Sequence, residues 1–189
     1  RIGFREARSH AVVDMAECHI LAPELFALVA PLRRLLAGFG RKRLGADVHL
    51  TLCDQGVDCN IAGFAPEGLR EIEALLDFAG EHSLARLTVD DGYGPQTHWE
   101  PAPATVTLAT MTQAGVPVAL PPGAFLQPTR EGEAALVSAA TDWLAGATRG
   151  ADLFAGLGTF AFALAGSSAE VEAVEAAQDA HLACRAAAN

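Results

Sequence analysis

Two glycines, Gly156 and Gly158, follow a short apolar segment at residues 151–154 and precede a helix predicted to begin near Thr159. Glycine lets the backbone turn tightly at the end of a buried strand and approach a ligand where a Cβ atom would clash. The helix that follows offers free N–H groups and a partial positive charge at its first turn. The segment reads GxGxF rather than the GxGxxG of dinucleotide-binding proteins. It therefore predicts a Rossmann-like cofactor turn without the complete dinucleotide fingerprint.

An acidic residue, Glu175, stands at the end of a second predicted strand at residues 171–175. A carboxylate at this place can accept hydrogen bonds from both hydroxyls of a ribose. A glycine turn followed about 20 positions later by an acidic residue is typical of nucleotide-like cofactor sites. An ordinary tight turn followed by a surface glutamate is the alternative interpretation of the same residues.

The elements that must position these residues lie after Pro121-Pro122. The pattern predicts a long helix at 130–145, a strand at 151–154, a helix from 159, a strand at 171–175 and a last helix from 176. Strand, glycine turn, helix, strand and helix is the opening half of a doubly wound α/β fold. Because two parallel strands do not make a stable sheet of this kind, we expect the domain to continue beyond this chain.

The first 122 residues have a different pattern, which predicts a mixed, mostly antiparallel α+β unit. The pattern gives a hairpin, a first helix interrupted by Pro31, a strand pair around an Asp-Gln-Gly turn, a second helix and short later strands. These elements are expected at 2–14, 23–39, 48–53 with 57–63, 66–81, and 84–89, 105–110 and 116–120. The fold class is therefore α/β, with an α+β domain at 1–122 and the beginning of a Rossmann-like domain at 123–189.

Composition and charge narrow the classes of protein that are compatible with this chain. A hydrophobic fraction of 51% excludes a disordered chain, and no apolar run reaches the length of a membrane span. The four cysteines lie far apart, which favours a reducing, cytoplasmic setting. The net charge of −10 is uneven, since residues 1–43 carry eight basic and four acidic side chains. Arg33, Arg34 and residues 41–43 are candidates for phosphate contact, and a solvated basic surface is the alternative.

Five segments in this order resemble the S-adenosylmethionine-dependent RNA (uracil-5-)methyltransferases, which make 5-methyluridine in ribosomal and transfer RNA. The resemblance covers nearly the whole chain. It rests on a GFR…SH…VVD…C pattern from Gly3 to Cys18, FLQPT at 125–129, DLFAGLGTFAFALA at 152–165, Val174-Glu175, and a tail at 183–189 similar to the family's AxxNAxxN helix. The resemblance implies a class I methyltransferase domain at 123–189 and S-adenosyl-L-methionine as its cofactor.

Matching positions carry over a set of cofactor-binding residues from the family. The resemblance implies this role for Gln127, Phe154, Gly156, Gly158, Thr159 and Glu175. The sequence departs from the family at Ala155, where cysteine is usual, at Pro128-Thr129, where a residue and asparagine are usual, and at Ala187, where asparagine is usual. Thr129 either weakens a contact with the target base or caps the following helix, a position that threonine suits. Gln127 has an alternative interpretation as a turn residue.

Cys18 occupies the position at which one branch of the family supplies a fourth ligand to an iron–sulfur cluster. Such a 4Fe–4S cluster is held by four cysteine thiolates, and the other three lie upstream in that branch. Cys18 is therefore either such a ligand or a half-buried thiol. Cys53, Cys59 and Cys184 are not assigned as metal ligands.

The family's chemistry needs residues that the resemblance places beyond Asn189. A cysteine thiolate adds to C6 of uracil, the resulting enolate takes the methyl group, and a general base removes the C5 proton. No catalytic residue is therefore assigned in this chain, and Cys184 is not a substitute for the nucleophile. We expect this chain, taken alone, not to methylate RNA. The full-length protein is expected to act on ribosomal or transfer RNA as a monomer, without membrane attachment.

Two other classes of function remain open from the residues. One is a methyltransferase that acts on a small molecule or a protein, with the same cofactor half. The other is a non-catalytic interaction module that retains the α+β domain. A full-length protein that binds the cofactor but not RNA would favour the enzyme with another substrate. A natural transcript that ends near codon 189 would favour the interaction module.

Overall fold

A computed structural model describes residues 1–41, 44–110, 115–165 and 170–189 of the chain. The chain forms two compact units, Arg1–Ala102 and Pro103–Asn189. These units divide after Ala102, so the strands expected near 105–120 lie in the second unit. The domain division at 122 concerns the family's domains and stays a prediction.

The first unit is a four-stranded sheet with helices. Its elements are α1 Pro23–Ala27, α2 Val29–Gly38, β1 Asp47–Cys53, β2 Gly56–Ala62, α3 Gly68–Glu81, β3 Arg86–Asp90 and β4 Pro95–Trp99. The strand order is β1-β2-β3-β4, in which β2 and β3 are parallel and the outer pairs are antiparallel. Arg5 and Val12 form a bridge in the N-terminal hairpin. The mixed α+β prediction is confirmed for this unit.

The first predicted helix is divided in two, as Pro31 requires. The break falls at Leu28, between α1 and α2, and not at the proline itself. Proline has no N–H to donate to the carbonyl of Ala27, and its ring would clash with that oxygen. In the first turn of α2 the missing N–H costs nothing, because that group has no partner inside a new helix. The helical hydrogen bonds therefore restart with Leu32 N donating to Leu28 O at 2.9 Å.

The core of the first unit lies between one face of the sheet and the helices. Alternate residues of β2 and β3 point to this face, as the period of two in a strand dictates. Its buried members are Leu28, Leu32, Val57, Cys59, Ile61, Phe64, Leu75, Phe78, Ala79, Leu84, Leu87 and Val89. Cys53 of β1 and Cys59 of β2 are also buried residues.

The second unit contains β5 Thr105–Leu108, β6 Val116–Ala119, α4 Arg130–Trp143, β7 Arg149–Leu153, α5 Thr159–Ala165, β8 Glu170–Val174 and α6 Gln178–Ala187. β5 and β6 form an antiparallel pair. β7 and β8 are parallel and in register from Arg149 with Glu170 to Leu153 with Val174. α5 connects these strands and packs against both of them. This is the predicted β-turn-α-β-α beginning of a doubly wound fold.

Among the four described stretches of the chain, no helix combines the length and the apolar character that crossing a membrane requires.

Candidate functional site

The carboxyl ends of β7 and β8 bring the glycine turn and Glu175 together. Parallel strands end at the same edge of a sheet, and here Leu153 is paired with Val174. One further backbone bond extends the pairing, in which Ala155 N donates to Val174 O at 3.0 Å. Ligands of doubly wound proteins bind outside this edge. The edge is therefore the candidate site.

The turn between β7 and α5 depends on backbone conformations that favour glycine. Gly156 and Gly158 have φ angles of 56° and 96°. A Cβ atom on Gly158 would lie 2.7 Å from the Phe162 ring and 2.8 Å from Cys184 Sγ, whereas one on Gly156 would meet nothing within 4 Å. Position 158 thus requires glycine for packing as well as for its backbone conformation, whereas position 156 requires it for its backbone conformation alone. The turn closes with Gly158 N donating to Ala155 O at 2.8 Å.

Phe154 immediately precedes this turn and has a φ angle of 66°, which is unusual for a residue other than glycine. Its side chain is 88% exposed. An aromatic side chain in a strained backbone conformation, presented to solvent at a strand end, is typical of ligand-binding positions. Thr159 opens α5 on the other side of the turn and is half-buried.

Glu175 holds the turn through its carboxylate. Oε2 accepts from Gly156 N at 2.8 Å, and Oε1 accepts from Ala177 N at 2.7 Å. These hydrogen bonds, that of Ala177 first and that of Gly156 second, hold the pKa of Glu175 below its ordinary value. The carboxylate is therefore charged at neutral pH. The Ala176 amide also lowers this pKa, and a carboxylate with about four acceptor positions retains some capacity for a ligand.

A second carboxylate, Asp152, supports the same turn from the β7 side. Its Oδ2 accepts from Ala161 N at 3.0 Å, in the first turn of α5. Burial raises the pKa of Asp152, and the negative charge of Glu175 raises it further. No role in the site was predicted for Asp152 from the sequence. The signal that indicates one is an acidic residue inside an apolar strand, directly before the glycine turn.

Gln127 lies on the connection between β6 and α4 and is half-buried. Among the described residues, no hydrogen bond joins it to the glycine turn. Its assignment as a cofactor ligand stays a prediction. Nearby Thr129 is the N-cap of α4 and accepts from Gly132 N at 3.0 Å. Of the two interpretations of Thr129, the structure favours the helix cap.

The cysteines do not assemble a metal site in the part of the chain that the structure describes. No group of three or more His, Cys, Asp or Glu side chains there is arranged to hold a metal ion. Cys18 is half-buried, and its Sγ accepts from Leu21 N at 3.4 Å. The assignment of Cys18 to an iron–sulfur cluster gains no support from the described residues and stays a prediction. Burial raises the pKa of Cys184, and the charge of Asp152 raises it further, so this thiol is a poor nucleophile.

Two of the basic residues that were candidates for phosphate contact, Arg33 and Arg41, are paired with carboxylates inside the first unit. Arg33 donates to Asp14 Oδ1 at 2.8 Å and to Met15 O at 3.1 Å. Arg41 donates to both carboxylate oxygens of Glu71. Both arginines thus have a carboxylate partner within the first unit, and their contact with phosphate stays a prediction. Arg34 is exposed, and Lys42 and Arg43 lie outside the described residues.

No protein-family model matches the chain. Individual relatives match over nearly all of it. An uncharacterized RNA methyltransferase of Zymomonas mobilis is 42% identical over 187 residues. The match covers 99% of this chain and 46% of the relative. A similarly named RNA methyltransferase of Caulobacter vibrioides is 37% identical, over 99% of this chain and 44% of the relative. A 23S rRNA (uracil(1939)-C(5))-methyltransferase of Alteromonas naphthalenivorans is 34% identical, over 93% and 37%.

A solved structure has the same fold. The tRNA (uracil-54, C5)-methyltransferase of Pyrococcus abyssi, crystallised with S-adenosyl-L-homocysteine, superimposes with a TM-score of 0.69 at 18% identity, over 97% of this chain and 48% of that chain. This chain thus spans less than half the length of the proteins that it matches. The resemblance seen in the motifs is confirmed. By sequence over nearly its whole length, the chain is similar to one part of RNA methyltransferases, one of which is named for uracil C5, and it shares the fold of the corresponding part of a solved one.

Proposed function

We propose that this chain forms the α+β domain and the S-adenosyl-L-methionine-binding half of an enzyme that methylates C5 of uridine in ribosomal or transfer RNA. The observation that carries the proposal is the joining of Glu175 to the Gly156 amide at the carboxyl ends of two parallel strands. The names of the relatives supply the reaction and the class of substrate. The alternatives of another substrate class or a non-catalytic module gain no such support.

The residues at the strand ends suit this cofactor by their chemistry. The charged carboxylate of Glu175 can accept hydrogen bonds from the hydroxyls of a ribose, and the turn at 156–158 lets the backbone approach a ligand. The exposed ring of Phe154 offers an apolar face beside them. Gln127, with both a donor and an acceptor, completes the proposed set together with Gly158 and Thr159. When it is bound, S-adenosyl-L-methionine supplies the methyl group.

The same proposal assigns the remaining chemistry to residues outside this chain. The resemblance puts the cysteine nucleophile and the general base in the part of the relatives that this chain does not match. Within this chain, Glu175 and the glycine turn bind and orient the cofactor, and no residue transfers a proton or forms a bond to RNA. The enzyme is proposed to act in the cytoplasm, on RNA, as a monomer.

Deletion of the gene in its source organism tests the proposal without any assumption about where the protein ends. Total ribosomal and transfer RNA would be digested and 5-methyluridine quantified by mass spectrometry, with each site mapped. We expect one 5-methyluridine site to be lost and then restored by the wild-type gene but not by Glu175→Ala. An unchanged level of 5-methyluridine at every site would overturn the proposed reaction. If methylation of a protein or a small molecule disappeared instead, the enzyme would be a methyltransferase of that substrate and not of RNA.

A further inference from the structure

The face of the first sheet that points away from the core carries polar side chains on its two middle strands. Asp58 and Asn60 alternate with the apolar core residues of β2, and Arg86 and Thr88 alternate with those of β3. The register pairs Asp58 with Arg86 and Asn60 with Thr88. Because paired residues of neighbouring strands point to the same face, the two pairs lie side by side across the boundary between β2 and β3.

The two pairs differ in how their polar atoms are satisfied. The carboxylate of Asp58 accepts from Nε and Nη2 of Arg86, so each charge has a partner. Thr88 is fully buried, and neither its Oγ1 nor the buried Oδ1 of Asn60 has a hydrogen-bond partner among the residues that the structure describes. A buried polar group without a hydrogen bond is costly, and most such groups in folded proteins are paired with protein or with ordered water. The second pair therefore calls for a partner that the side chains themselves do not supply.

The chemistry and spacing of these two oxygens fit a water molecule. Asn60 Oδ1 is an amide oxygen and only accepts hydrogen bonds, whereas the Thr88 hydroxyl both donates and accepts. Two hydrogen bonds of about 2.8 Å, set at the tetrahedral angle of a water molecule, span about 4.6 Å. Neighbouring strands lie about 4.8 Å apart, so one water can bond to both members of a pair in register.

Ions suit this place less well. Ca²⁺ and Mg²⁺ take about six or more oxygen ligands, and in the described part of the chain no group of three or more His, Cys, Asp or Glu side chains is arranged to hold a metal ion. An anion would be repelled by the amide oxygen of Asn60 and by the carboxylate of Asp58, two residues away on the same face. A neutral molecule that both donates and accepts is the occupant that remains.

We propose that one buried water molecule bridges Asn60 Oδ1 and Thr88 Oγ1 and is a fixed part of the first sheet. The water donates one hydrogen bond to the amide oxygen and forms a second with the hydroxyl. β2 and β3 are parallel and are joined through α3, so no tight turn sets their register. A shift of either strand by one residue would turn its polar side chain into the apolar core and away from the water. The bridged pair therefore helps to select the observed register, together with Asp58 and Arg86.

The sign of one stability change distinguishes a bridged hydroxyl from a hydroxyl without a partner. Thr88→Val removes the hydroxyl and keeps the shape of the side chain. With the bridge, we expect the folded-to-unfolded ratio of the first unit to fall about fivefold to thirtyfold, because the water and Asn60 lose a hydrogen bond. Without it, the change removes an uncompensated buried group and the ratio rises, which would overturn the proposal. Urea unfolding of the whole chain in a Trp143→Phe background, followed by Trp99 fluorescence, reports on the first unit.

Thr97→Val is the matched control, because Thr97 is the exposed partner of Thr88 on β4. The same chemical change there should alter the folded-to-unfolded ratio by less than about twofold. A second variant, Asn60→Leu, removes the other end of the bridge and should also lower the ratio. Asn60→Leu combined with Thr88→Val should lower it by less than the product of the two single effects, because either change alone already removes the bridge. Effects that simply multiply would mean that the two groups act independently, which contradicts a shared water.

A crystal structure of the wild-type chain locates the water directly, whether or not the variants fold. We expect a water within about 2.6–3.2 Å of both Asn60 Oδ1 and Thr88 Oγ1. The same water should be lost in crystals of Thr88→Val and kept in those of Thr97→Val. A direct hydrogen bond between the Asn60 and Thr88 side chains, with the amide in either orientation, would overturn the proposal, and so would a dry gap between them.

Discussion

Glu175 is hydrogen-bonded to Gly156, 2.8 Å away across the ends of two parallel strands. The carboxylate therefore has two functions in the proposed site. It fixes the backbone of the glycine turn in the absence of a ligand, and in the proposed site it accepts hydrogen bonds from a ribose. A site arranged in this way before the cofactor arrives loses less entropy on binding.

Replacement of Glu175 is expected to weaken cofactor binding and to remove the loss of cofactor affinity that wild type shows at acid pH. Glu175→Ala should lower the affinity for S-adenosyl-L-homocysteine by about tenfold to a hundredfold, because bonds to a charged group are lost. The pKa of Glu175 is held below its ordinary value of 4.5, so its stabilising effect is present above that pH and lost as the pH falls through the folded-state value. Calorimetric titrations between neutral and acid pH measure both effects. Glu172→Gln, an exposed change on the same strand, is the control; an equal loss there would contradict the assignment.

The two glycines of the turn should respond differently to alanine. Gly158→Ala forces a methyl group onto Phe162 and Cys184, so we expect a loss of about 2–4 kcal/mol in the free energy of unfolding of the second unit. Gly156→Ala meets no atom and should cost only about 1 kcal/mol for its left-handed conformation. Urea denaturation gives both values. Cys184→Ala should recover part of the loss in Gly158→Ala, and equal costs at both glycines would refute the packing argument.

A buried ion pair stabilises the first unit. Arg86 donates from Nε and Nη2 to the carboxylate of Asp58 at 2.9 and 2.7 Å, and both side chains are about 5% exposed or less. Asp58→Ala should lower the free energy of unfolding by about 3–5 kcal/mol, because it leaves a buried guanidinium without its main partner. Asp47→Ala, which breaks the exposed pair with Arg5, should cost less than about 1 kcal/mol. A similar cost for both changes in a denaturation experiment would contradict this distinction.

Two substitutions of Thr129, at which the sequence departs from the family, test its role as the cap of α4. Thr129→Ala removes the cap of α4 and should cost about 1 kcal/mol in the free energy of unfolding. Thr129→Asn introduces the residue usual in the family and also caps well, so stability should not fall. Thermal unfolding compares the two. A loss of stability in the asparagine variant would mean that the local backbone accepts only a hydroxyl.

The sequence predicted the cofactor half more completely than the first unit, and particular residues explain why. Glycines at 156 and 158 after an apolar strand are local signals, so the β7–α5–β8 order could be predicted from neighbouring residues alone. β4 could not, since Pro95-Gln-Thr-His-Trp has no alternation of apolar residues. Its place depends on pairing with β3 and on Trp99 Nε1, which donates to Leu84 O at 2.9 Å. Such contacts exist only in the folded chain.

The roles of individual charged residues show the same limit. Counting charges predicted a basic strip for phosphates, yet Arg33 and Arg41 each contact a carboxylate distant in sequence. Spacing cannot reveal which acidic residue folding will bring beside an arginine. The contact between Asp152 and Ala161, nine residues apart, was also missed, because it depends on the direction in which α5 leaves the turn.

The left-handed backbone conformation of Phe154 lowers the stability of the fold at a position where the side chain is proposed to bind the cofactor. A non-glycine residue in that conformation costs about 1–2 kcal/mol, and glycine or asparagine would relieve the cost. Selection for heat resistance alone would then replace this phenylalanine, whereas selection that also requires cofactor binding would retain it. Phe154 thus carries a local cost in folding free energy, and the proposed role of its exposed ring in cofactor binding accounts for its retention.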